Sequence, residues 1–229
     1  MDFEEAVEKA PPGWRHFSPE DVMRLPPAVR EHEMARVPAG EAGERLVRGL
    51  FWTLVYHLEP ERWDALARCE PIHPELIEAL PRGLATALDV GAGSGRLTEQ
   101  LVGRSRQTLA VEPSAGLRAI LHRRLPAVRT VAGWAEALPI RDGAAELTAA
   151  CGALGPDPDV LGELTRVTAP GGWIALISPE QPDWFAERGW EHIDAGPVPA
   201  PPHPAWLDDF FGPLDPPHEL VMLRLEKTF

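Results

Sequence analysis

An aspartate and three alternating glycines lie together near the middle of this 229-residue chain. Asp89 is the penultimate residue of the apolar run 84–90, and Gly91, Gly93 and Gly95 follow it. Glycine allows positive φ angles and lets a ligand approach the backbone closely. A helical pattern starts directly after the turn, where a helix offers unpaired N–H groups and the positive end of its dipole. The segment therefore predicts a strand, a tight turn and a helix at a sheet edge where α/β proteins bind ligands.

The spacing of these glycines is G-x-G-x-G. Turns that bind dinucleotides carry G-x-G-x-x-G, whereas the sixth position here is Arg96. This difference disfavours a nicotinamide-dependent dehydrogenase. Taken alone, the turn is equally compatible with an ordinary glycine-rich connection between a strand and a helix, so the assignment depends on the rest of the chain.

A second carboxylate, Glu112, ends the next apolar run at 108–111 and lies 21 residues after Gly91 (112 − 91). In nucleotide-binding α/β sheets, an acidic residue at this point accepts hydrogen bonds from ribose hydroxyls. A carboxylate suits this task because it accepts from two neighbouring hydroxyls at once. The alternative is a solvated acid at a strand end, and the glycine turn upstream favours ribose binding.

The composition narrows the class of protein. Hydrophobic residues make up 44% of the chain, which indicates a folded protein. The formal net charge of -13 opposes binding to a phosphate backbone, so DNA and RNA are poor candidates as partners. Cys69 and Cys151 form no metal-binding or redox motif, and we expect no metal. The acidic N-terminus lacks a signal peptide and the apolar runs are too short for a membrane span, which predicts a cytoplasmic location.

Patterns along the chain predict two kinds of region. Helical patterns separated by prolines fill roughly the first third, beginning with the helix start at Ser18 and Pro19. After the glycine turn, strand and helix patterns alternate, as is typical of a parallel sheet covered on both faces. The last run, 221–227, alternates apolar and polar residues as a more exposed strand would.

Three segments resemble one known family. The string 88–95, Leu-Asp-Val-Gly-Ala-Gly-Ser-Gly, resembles motif I of the class I S-adenosylmethionine (SAM) dependent methyltransferases. Residues 133–139, Gly-Trp-Ala-Glu-Ala-Leu-Pro, are similar to the G-D-A-E-x-L-P segment of its small-molecule members, and 163–174 resembles their E-x-x-R-V-L-x-P-G-G-x-L segment. With Glu112 in its expected place, the chain is identified as resembling a small-molecule methyltransferase of the type 11-like group.

The resemblance implies an α/β fold: a Rossmann-like, seven-stranded mixed sheet whose last strand is antiparallel, with an N-terminal helical extension. Residues 1–82 would form a helical region on the substrate side, and 83–229 the SAM-binding domain. SAM is the implied cofactor. The implied cofactor-binding residues are Asp89, Gly91, Ala92, Gly93, Gly95, Glu112, Pro113, Trp134, Ala135, Glu136 and Cys151.

Within that set, the resemblance gives each part of the cofactor its own residues. Asp89 and the glycine turn would hold the methionine part, Glu112 the ribose and residues 134–136 the adenine, while Cys151 would flank the methyl group. Trp134 stands where the family has an aspartate. An indole cannot accept the adenine amino proton, so Trp134 either stacks on the ring, caps the pocket, or is simply a core or surface residue.

The chemistry implied is in-line displacement at the methyl of a sulfonium, for which alignment and desolvation supply much of the acceleration. The chain shows no convincing general base, so catalytic residues stay unassigned. The histidines His57, His73 and His192 are candidates, but each is better explained as a hydrogen-bonded or surface residue.

The acceptor is the least determined part. We expect its pocket to be built by the helical region and by the proline- and aromatic-rich segment 197–211, which would be a lid or a homodimer contact. A small-molecule acceptor is the first hypothesis. The alternatives are a protein that binds SAM without catalysis, suggested by Trp134, and a protein methyltransferase that recruits a basic partner to its acidic surface.

Overall fold

A computed structural model describes residues 10–35, 42–152 and 154–226 of the chain. A short 3₁₀ helix, Pro12–His16, and five α-helices precede the first strand within these residues. The helices are α1 Pro19–Arg24, α2 Pro27–Ala35, α3 Ala42–Leu58, α4 Pro60–Cys69 and α5 Pro74–Ala79. The predicted start of α1 is present, because Ser18 N–H donates to Asp21 Oδ2 at 2.8 Å. No helix of the described part is long and apolar enough to cross a membrane.

Strands and helices alternate in the remainder. The strands are β1 Leu84–Val90, β2 Ser105–Val111, β3 Arg129–Val131, β4 Ala145–Cys151, β5 Thr168–Ile177, β6 Glu191–Asp194 and β7 Glu219–Arg224. The helices are α6 Arg96–Val102, α7 Ala115–Arg124, α8 Pro158–Val167, α9 Pro182–Ala186 and α10 Trp206–Phe211.

The seven strands form one mixed sheet in the order β3-β2-β1-β4-β5-β7-β6. Strands β1 to β5 pair in parallel, whereas β7 pairs antiparallel with both β5 and β6. This arrangement confirms the predicted fold class. Because β1, β2 and β4 are parallel neighbours, their carboxyl ends bring Asp89, Glu112 and Cys151 to one edge of the sheet.

Helices cover both faces of the central strands, which explains why β1 reads as an apolar run. Leu97 and Leu101 of α6 pack with Ala87 on one face. Leu164 of α8 packs with Leu88 on the other. Side chains of successive strand residues alternate between the faces, so β1 is apolar on both. The glycine turn therefore follows a strand that lies in the buried centre of the sheet.

The expectation of an exposed final strand was wrong. Strand β7 lies between β5 and β6, and Leu220, Val221 and Met222 are all buried. Leu220 and Met222 join the core on one face, while Val221 packs with Phe185 of α9 on the other. The alternating pattern failed as a predictor because its polar positions lie only at the strand ends.

The predicted turn at Pro170–Gly172 lies inside strand β5. Thr168 pairs with Ala145, and the next pair joins Trp173 to Leu147, so the strand makes an irregular excursion between these two points. A methyl group at Gly172 would lie 2.8 Å from two backbone carbonyl oxygens. Glycine is therefore required where the chain passes this close to its neighbour.

The N-terminal helices and α10 share an aromatic cluster beside the carboxyl edge of the sheet. Its side chains include Trp14, Phe17, Phe51, Trp52, Tyr56, Trp63, Phe210 and Phe211. Trp52 and Phe211 stack with ring centroids 5.8 Å apart. The segment predicted as a lid or a homodimer contact therefore ends in a helix that packs against the helical region.

Candidate functional site

Asp89 lies at the carboxyl end of β1 and is 1% exposed. Its Oδ2 accepts a hydrogen bond from Thr98 Oγ1 at 2.5 Å. Its Oδ1 has no hydrogen-bond partner among the described residues. Burial, and to a lesser degree the charge of Glu112, raise the pKa of Asp89 to about 7, against the opposing effect of the Thr98 hydrogen bond. A buried acceptor without a donor is costly, so this atom suits a ligand that brings N–H groups.

The glycine turn takes the backbone conformation that its sequence predicts. Gly91, Gly93 and Gly95 have φ angles of 68°, 56° and 101°. The N–H groups of Gly91 and Ala92 donate to the Val111 carbonyl at 2.9 and 3.0 Å, which fixes the turn against β2. The turn therefore has a rigid frame and a surface without Cβ atoms at these three positions.

Glu112 ends β2 and is 4% exposed. Its Oε2 accepts from Gly93 N–H at 2.9 Å and its Oε1 from Ser114 N–H at 2.7 Å. Burial raises the pKa of Glu112, and these two backbone hydrogen bonds lower it. Each carboxylate oxygen keeps a second acceptor position, so Glu112 holds the glycine turn and can still accept from two hydroxyls. The next residue, Pro113, offers its carbonyl to Arg118 at 2.7 Å.

A cavity of about 20 Å³ lies against the glycine turn. Its lining residues are Trp63, Ala67, Asp89, Gly91, Ala92, Gly93, Ser94, Arg96, Leu97 and Cys151. Five predicted site residues thus meet here, whereas Gly95, Glu112, Pro113 and residues 134–136 lie outside this lining. The buried Ser94 hydroxyl also lacks a partner within the described part of the chain. The polar groups of the lining, which include the Asp89 carboxylate and the Arg96 guanidinium, fit the charged amino-acid end of SAM. The volume of the cavity, however, holds about one water molecule.

Aromatic side chains of three N-terminal helices lie against three of the predicted site residues. A methyl group at Gly93 would lie 2.9 Å from Nε1 of Trp63 in α4. Tyr56 of α3 lies near Glu112, whose charge adds to desolvation in raising the tyrosine pKa. His32 of α2 stacks on Trp134 with ring centroids 3.7 Å apart. The glycine turn, Glu112 and Trp134 are therefore each covered by one aromatic ring.

The loop after β3, which was predicted to contact adenine, places Trp134 and Glu136 beside α2. Trp134 packs against the cluster that contains Leu25. Glu136 pairs with Nε2 of His32. Of the alternatives for Trp134, the structure shows a partly buried ring that stacks on a histidine of the helical region. Its contact with adenine stays a prediction.

Arg96, the first residue of α6, is a site residue that the sequence interpretation missed. Its side chain is 13% exposed, and its guanidinium lies 3.1 Å from the Glu70 carbonyl and 3.3 Å from Glu70 Oε2. It also contacts the Cys151 thiol, whose pKa is raised by burial and lowered less by Arg96. A cation at a helix N-terminus is unfavourable, because the positive end of the helix dipole lies there. This mismatch at Arg96 was the feature of the sequence that could have indicated a functional role.

The candidate histidines do not lie in the cavity. Burial, with a smaller contribution from the charge of Arg118, lowers the pKa of His57 to about 4. His73 accepts from Glu75 N–H at 3.2 Å and caps α5. His192 lies in β6, at 3.4 Å from Glu219. No group of three or more potential metal ligands occurs among the described residues.

Two glycine substitutions separate backbone strain from contact with Trp63. Gly91→Ala and Gly93→Ala both place a side chain at positive φ, which costs about 1–2 kcal/mol each. Only the Gly93 methyl would meet Trp63, at 2.9 Å, whereas the Gly91 methyl enters open space. We expect Gly93→Ala to lower the melting temperature more than Gly91→Ala in scanning calorimetry. Equal losses would contradict the packing of Trp63 on the turn.

Comparison with known proteins decides the family. Residues 87–172 match the family of methyltransferase domains. This chain carries a methyltransferase domain. The match runs from Ala87 in β1 through residue 172 and includes the glycine turn, Glu112 and residues 134–136. It agrees with the methyltransferase resemblance of the sequence.

Individual relatives agree with this methyltransferase assignment. An uncharacterised methyltransferase of Mycobacterium tuberculosis is 34% identical over 122 residues, which are 51% of this chain and 50% of that protein. A demethylmenaquinone methyltransferase of Beutenbergia cavernae is 34% identical over 100 residues, 42% of each chain. The chain thus matches about half the length of its curated relatives or less.

A solved structure shows the same fold at low identity. The SAM-dependent methyltransferase of Thermotoga maritima has a TM-score of 0.53 and 17% identity, and the match covers 77% of this chain and all of that one. The methyltransferase family implies SAM as the cofactor of this domain.

Proposed function

We propose that the protein transfers the methyl group of SAM to a small-molecule acceptor. When bound, SAM supplies an electrophilic methyl group on a sulfonium. The observation that carries the proposal is the pair of buried carboxylates at the sheet edge: Asp89 keeps one unpaired oxygen, and Glu112 ties the glycine turn to β2. Both carboxylates lie at strand ends that the packed core holds in place.

In the proposed function, each predicted cofactor residue has a physical task. Asp89 Oδ1 accepts from the ammonium of the methionine part, and the glycine turn allows the ligand to approach the backbone. Glu112 accepts from the two ribose hydroxyls. Residues 134–136 contact the adenine, and Cys151 flanks the methyl group. The Cys151 thiol stays protonated because burial raises its pKa.

The cover formed by the helical region supports a small acceptor. Helices α2, α3 and α4 place His32, Tyr56 and Trp63 over the predicted cofactor groove. A molecule of the size of SAM requires several hundred Å³, so α2–α4 must shift to admit it. We propose that residues 1–82 act as this substrate-side cover, which closes over small molecules and excludes water.

The acceptor class has further support. The curated relative named a demethylmenaquinone methyltransferase takes its name from a small acceptor. The net charge of -13 opposes nucleic acids. The aromatic cluster beside the groove, which includes Trp52 and Phe211, favours an apolar or aromatic acceptor. A protein acceptor and a non-catalytic SAM-binding role remain the competing hypotheses.

Transfer of labelled methyl groups tests the proposal. The protein is incubated with methyl-labelled SAM and a cell extract, and the products are separated into protein and small-molecule fractions. We expect label in the small-molecule fraction, and none above background with Glu112→Gln. Label confined to protein contradicts the acceptor class. Tight cofactor binding without label in either fraction, over a broad acceptor panel, contradicts catalysis.

A further inference from the structure

We propose that Arg96 binds the carboxylate of the amino-acid end of SAM by exchanging its present partner, Glu70, for the ligand. The inference rests on the proposed function, because it concerns the same cofactor. It assigns a positive residue to a site in which the sequence interpretation placed only an acid and a glycine turn.

The cavity presents opposite charges to a small ligand. Asp89 and Arg96 line the same 20 Å³ space against the glycine turn. The Asp89 Oδ1 atom is buried without a partner among the described residues, and the Arg96 side chain is 13% exposed. A free α-amino acid group carries an ammonium and a carboxylate two bonds apart through its α-carbon. The cavity therefore offers one partner to each end of that group.

The present contact of Arg96 with the Glu70 carboxylate is loose. The 3.3 Å distance to Glu70 Oε2 exceeds the 2.7–2.9 Å usual for a charged N–H···O⁻ hydrogen bond, whereas the 3.1 Å contact is to the neutral Glu70 carbonyl oxygen. A guanidinium is best satisfied by a bidentate carboxylate. Both Glu70 contacts use the same Nη1 atom, and the guanidinium also contacts the Cys151 thiol, so Glu70 does not occupy the fork as a bidentate partner. A carboxylate that enters the cavity can complete the fork.

Glu70 remains held when Arg96 turns to the ligand. Its other oxygen, Oε1, accepts from Asp215 N–H at 3.0 Å. Burial raises the pKa of Glu70, and the Asp215 and Arg96 contacts lower it. Loss of Arg96 therefore leaves Glu70 with a donor and with the option of taking a proton. The exchange does not strand an unpaired buried charge.

A second arginine provides a matched control. Arg124 of α7 reaches the same turn from the other side, where it donates to the Ser94 carbonyl at 3.0 Å. It pairs with Asp64 and Glu99 at 3.2 and 3.3 Å, and it is not among the residues that line the cavity. Its removal alters the charge and the contacts of the turn without touching the proposed carboxylate site.

Calorimetry with two ligands isolates the carboxylate. S-adenosylhomocysteine is compared with S-adenosyl-3-thiopropylamine, which keeps the amine and sulfur but lacks the carboxylate. We expect the wild-type protein to prefer S-adenosylhomocysteine by about 10- to 100-fold, as for a charged hydrogen-bonded pair. In Arg96→Gln the preference falls to within about twofold, while affinity for the amine analogue is unchanged. Arg124→Gln keeps the wild-type preference.

The outcomes are separable. A wild-type protein that binds neither ligand overturns the proposed function and this inference together. Binding of S-adenosylhomocysteine with an undiminished preference in Arg96→Gln overturns only the role of Arg96. If Arg96→Gln does not fold, Arg96→Lys serves, since an ammonium keeps the charge but not the fork. We then expect a reduced preference, and an unchanged one contradicts the inference.

Discussion

Glu112→Gln is expected to weaken binding of S-adenosylhomocysteine by at least about 100-fold. Glu112 is proposed to accept from two ribose hydroxyls, and hydrogen bonds to a charged group are worth about 1.5–3 kcal/mol each. The substitution also turns an amide NH₂ toward Gly93 N–H or Ser114 N–H, which now donate to the carboxylate at 2.9 and 2.7 Å. We therefore also expect a loss of about 1–3 kcal/mol in the free energy of unfolding.

Titration calorimetry and urea unfolding measure the two effects of Glu112→Gln. Glu191→Gln is the control, because Glu191 is an exposed carboxylate on the edge strand β6. It should leave both quantities near the wild-type values. An affinity of Glu112→Gln within threefold of the wild type would show that Glu112 holds the turn but does not contact the cofactor.

Asp89→Asn is expected to have opposite effects on stability and binding. Burial raises the pKa of Asp89 from 3.8 to about 7 in the folded protein, so the ionised carboxylate is disfavoured there. The stability that this group contributes is present below pH 3.8 and is lost as the pH rises to about 7. Asparagine removes that loss and still accepts from Thr98. We expect the ligand-free variant to gain on the order of 1–3 kcal/mol at pH 8.

The same substitution should weaken cofactor binding about tenfold or more, because an amide lacks the charge that pairs with an ammonium. Scanning calorimetry at pH 5 and pH 8 checks the stability effect. The gain in melting temperature should be large at pH 8 and smaller at pH 5, where wild-type Asp89 is protonated. A variant that loses stability at pH 8 while binding the ligand normally would contradict the role given to Asp89.

The fold was predictable because its signals are local. The run 84–90, the glycine turn and the alternation that follows each specify one element, and the parallel order then places Asp89 and Glu112 at one edge. Strand β7 was misjudged, since the alternation of a short strand does not report what covers its second face. That cover comes from α9, and α9 contacts β7 only in the folded chain.

The cover of the site was not predictable. His32 and Trp134 stack although they are 102 positions apart in the sequence (134 − 32). The spacing of apolar residues in a helix does not indicate which distant residue the helix contacts. Trp63 reads as one apolar position among several in α4, yet its indole lies against Gly93. Arg96 was noticed only as a departure from a glycine motif. Its role follows from the cavity and not from the spacing.

Binding of S-adenosylhomocysteine to the full chain tests the central claim most directly. Titration calorimetry of the wild-type protein should show saturable binding of one ligand per chain. We expect a dissociation constant of about 1–100 μM, in the range of ordinary enzyme ligands. Absence of heat change up to about 1 mM ligand, with a protein shown to be folded by its cooperative melting, would contradict the assignment of this site to SAM.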